Sequence, residues 1–419
     1  MKALLALLLI VLALSGAPLF MVFSAAALVC FHLLGVDLCI VIIEMYRLAA
    51  NPLLIALLFF AFAGYLLAEG GAGRRLVRVS SALFGCIPGG LAVVSLLSCA
   101  FFTAVTGASG ITIVALGGIL LPALLEENYA ENFSLGLLTS SGSLGLLFPP
   151  SLPMIIYGVV AGASIPELFL AGLLPGIFLM LLLSVYSIYK GARGLCQTTG
   201  LSLHRLLKAL REAIWEILLP VVVFGGIYSG FLALSEAATV TVLYVLFVAL
   251  VVHRDVKVRQ LPGIIVKTIV MVGGIIVILG AALAFNSFLV DQQVPLKILS
   301  MIQSHVESKY VFLIILNVFL LLVGCVLDIY SALVVVAPLV VPIAQAYDIN
   351  MLHLGVIFLT NRQNGYSTPP IGMNLFIASL RFERPVLQLG FASLPFLGIL
   401  LVALVIITFV PGLSLLLVR

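Results

Sequence analysis

The chain has 419 residues, of which 63% are hydrophobic and 9% charged, far below the roughly 25% charged residues of a soluble domain. That excludes a water-soluble globular protein, and apolar runs of about 20 residues without alternation exclude an outer-membrane barrel. The net charge of +4 gives no footing for a nucleic-acid partner, because it is spread in small clusters.

Membrane-length apolar segments are expected near 3–35 (bent at Gly16-Ala17-Pro18), 53–68, 88–125, 131–163, 167–190, 214–233, 235–252, 265–288, 308–344, 351–380 and 386–416. The opening MKALLALLLIVLALSGA has the look of a signal peptide. A retained first helix is expected instead, since apolar sequence continues past Pro18 to Val36. Glu44 and Arg47 read as an amphipathic outer segment, and Glu212, Trp215 and Glu216 as interfacial residues. Ser235 and Glu236 should open and cap the helix that follows. The six cysteines form no C-x-x-C pair and read as small apolar fillers, and the five histidines form no ligand pattern.

Four segments are too long for one straight crossing and carry polar interruptions: 88–125, 131–163, 308–344 and 351–380. They repeat. Pro122 matches Pro342, Gly145 matches Gly365, Pro149-Pro150 match Pro369-Pro370, and Pro175 matches Pro395, all at one constant offset. The repeats are placed at about 50–190 and 265–416. Of the 20 Lys and Arg residues, 15 fall at Lys2 and in clusters at 74–78, 190–211, 254–267 and 381–384. Assigning these to the cytoplasm follows the positive-inside bias and puts the N-terminus there. Segment 53–68 then runs inward and its partner 265–288 runs outward, so the repeats are inverted. Inverted repeats with broken helices are the mark of secondary transporters, with the site at the repeat interface.

The interruptions are TGASG (106–110), SSGSLGLLFPP (140–150), LDIYS (327–331) and NGYSTPPIGMN (364–374). In lipid an unpaired backbone N–H or C=O costs several kcal/mol, so such breaks persist where something polar uses them. Freed carbonyls and hydroxyls suit a hard cation such as Na⁺, and half-helix N-termini suit an anion. One cation site per repeat is expected. The first takes Thr106, Gly107 and Ser109 with Gly142, Ser143, Gly145 and Pro149; the second takes Asp328, Ser331, Gly365 and Thr368. Ser141, Ser151, Arg362, Asn364, Ser367 and Asn374 are the candidates for substrate. Asp328 is an intramembrane carboxylate and also a natural helix cap; Arg362 could pair with it or attract a substrate carboxylate. Either 88–125 is a re-entrant hairpin and 131–163 a broken crossing, or the reverse; loop charge fits both.

Enzyme chemistry has no footing. There is no GxxxxGK[ST] phosphate loop, no second aspartate to face Asp328, and no histidine beside a break. A channel could use re-entrant hairpins but would not need inverted repeats with paired cation sites.

The chain resembles the large membrane (M) subunit of tripartite ATP-independent periplasmic (TRAP) transporters nearly end to end. The resemblance rests on GYLLAEGGAGRRLV (64–77), FTAVTGASGITIVALGGILLP (102–122), SSGSLGLLFPPSLPMIIYGVVAGASIPELFLAGLLPG (140–176), GGIYSGFLALSEAA (225–238) and STPPIGMNLF (367–376). It implies an all-α polytopic fold of the elevator type, with inverted repeats, hairpins first and broken helices second. It implies Na⁺-coupled import of an organic acid, such as a C4-dicarboxylate, a sialic acid or a related sugar or keto acid, across the bacterial inner membrane. It also implies two partners, a small four-helix membrane (Q) subunit and a periplasmic substrate-binding protein. The alternative is a standalone Na⁺/organic-anion symporter of the same architecture. The expected division is scaffold helices at 1–68, a first transport repeat at 69–190, a central arm and scaffold at 191–288, and a second transport repeat at 289–419. The sequence departs from the family in having Ala108 at the first tip and the polar run Asn361-Arg362-Gln363-Asn364 before the second break.

Overall fold

A backbone in hydrocarbon must satisfy its own hydrogen bonds, so continuous apolar sequence folds as helix. The computed structural model describes residues 17–84, 89–193, 203–369 and 372–418, and among them helices are joined by short turns with no strand. The expected first helix upstream of residue 17, Lys2, Cys86, Cys196 and Pro370 lie outside the described residues. Among the described residues six helices are long and apolar enough to cross a bilayer singly, and Glu131–Leu147 with Leu152–Ala161 forms a pair bent by 45°.

Three helices open the described chain: α1 (Leu19–Leu33), α2 (Cys39–Ala49) and α3 (Leu53–Glu69). Next comes α4 (Ala72–Phe84), then a hairpin of α5 (Gly90–Thr106) and α6 (Ser109–Glu126). The broken crossing is α7 (Glu131–Ser141), a 3₁₀ turn at Leu144–Leu147, and α8 (Leu152–Ala161). It leads into the long α9 (Ile165–Arg193). The middle is α10 (Leu203–Glu212), α11 (Ile214–Tyr228), α12 (Leu234–Phe247) and the 31-residue α13 (Leu261–Asp291). The second half repeats the first: α14 (Val294–Gln303), a hairpin of α15 (Lys309–Val326) and α16 (Ile329–Ala346), a broken crossing of α17 (Met351–Gly365) and α18 (Met373–Phe382), then α19 (Val386–Phe409) and the short α20 (Gly412–Leu415).

The offset read from prolines and glycines also sets the element boundaries. Helices α6 and α16 are both 18 residues long, and the residues that open them, Ser109 and Ile329, are separated by that same offset. The hairpin-first arrangement is the one present. The two halves interlock: α6 packs against α18, and α16 against α8. The pairs α7–α19 and α9–α17 exchange in the same way. Separately, α3 packs on α12 and α13, and α13 also holds α1 and α2.

Two glycines show why the repeat needs its small residues. A Cβ on Gly145 would lie 2.3 Å from the Ala100 carbonyl oxygen and 2.3 Å from the Ala104 nitrogen. A Cβ on Gly365 would lie 2.7 Å from the Gly324 backbone, and Gly324 is the repeat equivalent of Ala104. Each broken crossing therefore presses its break onto the first arm of its own hairpin. Gly145 and Gly365, expected as cation-site residues, are close-packing positions in both repeats.

The arginine cluster at 74–78 lies on α4, whose Leu76 and Val79 are buried. One reading is corrected. Glu216 is not interfacial: it is 1% exposed and its Oε1 sits 2.6 Å from Arg75 Nη2. Arg75 Nη1 also reaches Asp255 Oδ2 at 2.6 Å, and Asp255 accepts the Gly71 N–H. This buried trio pins α4 to α11 and to the turn before α13. Glu212, by contrast, is half-exposed and pairs with Arg78 at 2.6 Å. The expected run 235–252 is present as α12 continued by one π-helical turn at Val248–Val252. Its cap is as expected, with Glu236 accepting the Ala233 N–H at 2.8 Å.

Candidate functional site

The site grows from the two hairpin tips. At the first, Gly107 closes α5 in the left-handed region, φ +68°, and a Cβ there would strike the Leu152 side chain at 2.6 Å. Glycine is thus required both for the turn and for the approach of α8. At the second, Asp328 caps α16, its carboxylate accepting the Tyr330 and Ser331 N–H groups at 3.0 and 3.1 Å. The tips are tied together. Tyr330 Oη donates to the Gly107 carbonyl at 2.7 Å, and the Ile329 N–H donates to Tyr366 Oη at 2.7 Å.

A cavity of about 740 Å³ lies against both tips. Gly107, Ala108, Ser109 and Gly110 line it from the first tip and Asp328, Ile329 and Tyr330 from the second, with Tyr366 and Met373 beside them. The opposite wall is scaffold: Tyr65 and Glu69 of α3, Lys267 and Met271 of α13. Lys267 is paired with Glu69. The two tips differ electrostatically. Asp328 spends its own charge on the N-terminus of α16. The equivalent position, Ala108, leaves the N-terminus of α6 without a side-chain cap and facing the cavity. Such an end presents free N–H groups and a partial positive charge.

Oxygen atoms converge behind the first tip. Thr103 Oγ1 donates to the Gly142 carbonyl at 2.7 Å and lies 2.6 Å from Thr112 Oγ1. Thr106 Oγ1 donates to the Phe102 carbonyl at 2.8 Å. Ser141 Oγ donates to the Leu138 carbonyl, and Ser143 Oγ crosses to the Gln363 carbonyl at 3.4 Å, its own repeat partner. Ser109 Oγ donates to Asn374 Oδ1 at 2.8 Å, and Asn374 in turn donates to the Thr139 carbonyl. Hydroxyl and carbonyl oxygens are the donor set a hard monovalent cation prefers.

The second break is built differently. Arg362 is fully buried, and its Nη2 donates to the carbonyls of Leu327 and Asp328. It does not line the cavity, and its bonds go to the backbone of the tip. Of the two expectations for it, pairing with the Asp328 carboxylate is not the arrangement present: Arg362 bonds to backbone carbonyls instead. Thr368 Oγ1 donates to the Asn364 carbonyl within its own turn, and Asn364 Nδ2 donates to the Leu400 carbonyl. Asn361 joins Asn317 of α15, Nδ2 to Oδ1 at 2.6 Å, and Asn317 reaches Thr408 of α19.

Of the residues singled out from sequence, Gly107, Ser109 and Asp328 line the cavity, and Asn374 holds Ser109 from behind. Ser141, Ser151, Asn364 and Ser367 are buried away from it. Pro149 lines a separate, mostly apolar cavity of about 550 Å³ between α4, α5 and α11, whose polar lining residues are Ser80, Ser98 and Thr241. Residues missed from sequence are Thr103, Thr112, Tyr65, Tyr330, Tyr366 and the Glu69–Lys267 pair. Thr103 lies one turn before Thr106, and both tip tyrosines sit inside the quoted breaks, so their positions carried the signal.

Inverted repeats, interlocked hairpins and a cavity between opposed tips define a secondary transporter fold built around a midplane site. The family model for the tripartite ATP-independent periplasmic transporter, DctM component, matches residues 6–413. The chain is 35% identical over 374 residues to a C4-dicarboxylate TRAP transporter large permease protein DctM of Pseudomonas aeruginosa, covering 89% of this chain and 88% of that one. It is 32% identical over 420 residues to the ectoine/5-hydroxyectoine TRAP transporter large permease protein UehC of Ruegeria pomeroyi, covering 99% and 98%. Among solved structures, the Alcanivorax borkumensis YdaH transporter superposes with a TM-score of 0.65 at 15% identity, over 89% of this chain and 87% of that one, a likeness of fold. The chain belongs to the DctM family and is a TRAP large permease subunit, a multi-pass membrane protein.

Proposed function

We propose that this chain carries a small organic acid inward across the inner membrane, driven by Na⁺, as the moving subunit of a tripartite transporter. The observation that carries the reading is the cavity closed by both hairpin tips. The uncapped N-terminus of α6 would receive the substrate carboxylate, with Lys267 on the facing wall. Na⁺, as co-substrate, would bind behind the first tip among Thr103, Thr106, Thr112 and the Gly142 carbonyl. Ion binding there would order the α5–α6 turn and thereby assemble the anion site. Coupling requires that Na⁺ bind the substrate-ready tip more tightly than the disordered one.

The interlocked unit of α5–α9 and α15–α19 would move as a body, and α1–α3 with α11–α13 would stay with the membrane as scaffold. The cavity reaches the ends of α3 and α13 that carry Glu69 and Lys267. With the Lys and Arg clusters assigned to the cytoplasm, these ends and the N-terminus would lie on that side, and the cavity would open inward. Family membership supports a small membrane (Q) subunit and a periplasmic binding protein as partners, and the latter would select the substrate.

The test is uptake of labelled organic acids into proteoliposomes holding this chain, with the small subunit and binding protein supplied or withheld. Uptake that needs both supports the tripartite reading. Equal uptake without the binding protein would make the chain a standalone symporter.

A further inference from the structure

We propose that the Arg362 guanidinium occupies the cation position of the second repeat, so that this chain binds one Na⁺ where its symmetry offers two places. The inference rests on the sodium reading above and limits it.

Symmetry locates the position. Behind the first tip, the C-terminal end of α5 faces Gly142, whose carbonyl meets Thr103. In the second repeat the equivalent of Gly142 is Arg362, that of Gly107 is Leu327 and that of Ala108 is Asp328. The side chain absent at 142 is present at 362, and it lies across the C-terminal end of α15, bonded to the Leu327 and Asp328 carbonyls. A helix C-terminus carries partial negative charge, and cations settle there. The two hydroxyls that meet at Gly142 have no counterpart: Thr103 and Thr112 correspond to Val323 and Ala332. The second repeat thus holds a fixed positive charge at the equivalent place, while the buried Asn364 Oδ1 and Ser367 Oγ near the break have no hydrogen-bond partner among the described residues.

The burial supports this use. Arg362 is 0% exposed, and no carboxylate pairs with it among the described residues. Its Nε and Nη1 have no hydrogen-bond partner there either. A charge buried without a counter-ion is costly unless local dipoles and a nearby charge balance it. The tip carbonyls and the adjoining Asp328 supply that balance. Arg362 in turn keeps the second tip ordered without an ion, while Asp328 caps α16 in place of an external anion. The first repeat would then carry the ion-dependent ordering alone.

The experiment counts ions. Equilibrium binding of radioactive sodium to the purified full chain, at saturating Na⁺, gives the number bound per chain. One ion is expected for wild type and none for folded Thr103→Val. Arg362→Ala, if it folds, should bind one more ion than wild type. Two or more ions in wild type, or one retained by Thr103→Val, overturns the proposal and leaves sodium coupling standing. An Arg362→Ala count unchanged at one also overturns it. No saturable binding in wild type removes the sodium reading, and the proposal with it.

Discussion

Asp328 and Ala108 occupy equivalent places and set opposite electrostatics, which makes single residues at the tips informative. Asp328→Asn keeps an oxygen able to cap α16 and removes only the negative charge that adjoins Arg362. It should remain folded yet lose uptake; a variant that transports like wild type would remove the Asp328 charge from the mechanism. Tyr330→Phe removes one hydrogen bond between the tips, worth ~1 kcal/mol or about fivefold in an equilibrium. The half-saturating substrate concentration should rise by that factor, measured in the same uptake assay. Gly145→Ala is a different kind of change. Its Cβ would press on backbone 2.3 Å away, where neither partner is a flexible side chain. Thermal unfolding in detergent should show a loss of ~3 kcal/mol, whereas an unchanged transition would mean the break does not lie against α5.

At the level of elements, the sequence disclosed the breaks more readily than the helix that braces them. Ser-Ser-Gly-Ser and Pro-Pro inside apolar runs announced the interruptions, and the constant offset tied one break to the other. Helix α4 was not among the expected segments because Arg74, Arg75 and Arg78 interrupt its apolar sequence; only folding shows Arg75 turned inward to Glu216 and Asp255. Glu216 was misread for the same reason, since a carboxylate at the end of an apolar run resembles an interfacial residue until its partner, 141 positions away, is known. The two pairings on these helices predict different costs. Glu216→Ala leaves Arg75 partly unpaired in a buried place and should destabilise by ~3–5 kcal/mol. Glu212→Ala breaks an exposed pair with Arg78 and should cost ~0–1 kcal/mol. Equal shifts in unfolding temperature for the two variants would contradict the buried trio.

For the whole molecule, the fold class was legible because membrane-length runs, charge asymmetry and an internal repeat are properties of the chain itself. The site was legible only in part. Gly107, Ser109 and Asp328 were marked by polarity, but the contact that closes the cavity joins Tyr330 to Gly107, residues 223 apart, and no local pattern predicts it. Arg362 was visible as an anomaly, while its bonds to the backbone carbonyls of the second tip were not. Together these features give a transporter with unequal halves: the first repeat presents an open helix end and a set of hydroxyls, and the second fills both equivalents with its own Asp328 and Arg362. The most direct measurement is uptake of a labelled organic acid into proteoliposomes containing the chain with its small subunit and binding protein, first under an inward Na⁺ gradient and then with K⁺ replacing Na⁺. Accumulation with Na⁺ and none with K⁺ is the predicted result. Flux as fast in K⁺ as in Na⁺ would contradict it, and the oxygens behind the first tip would then hold no coupling ion.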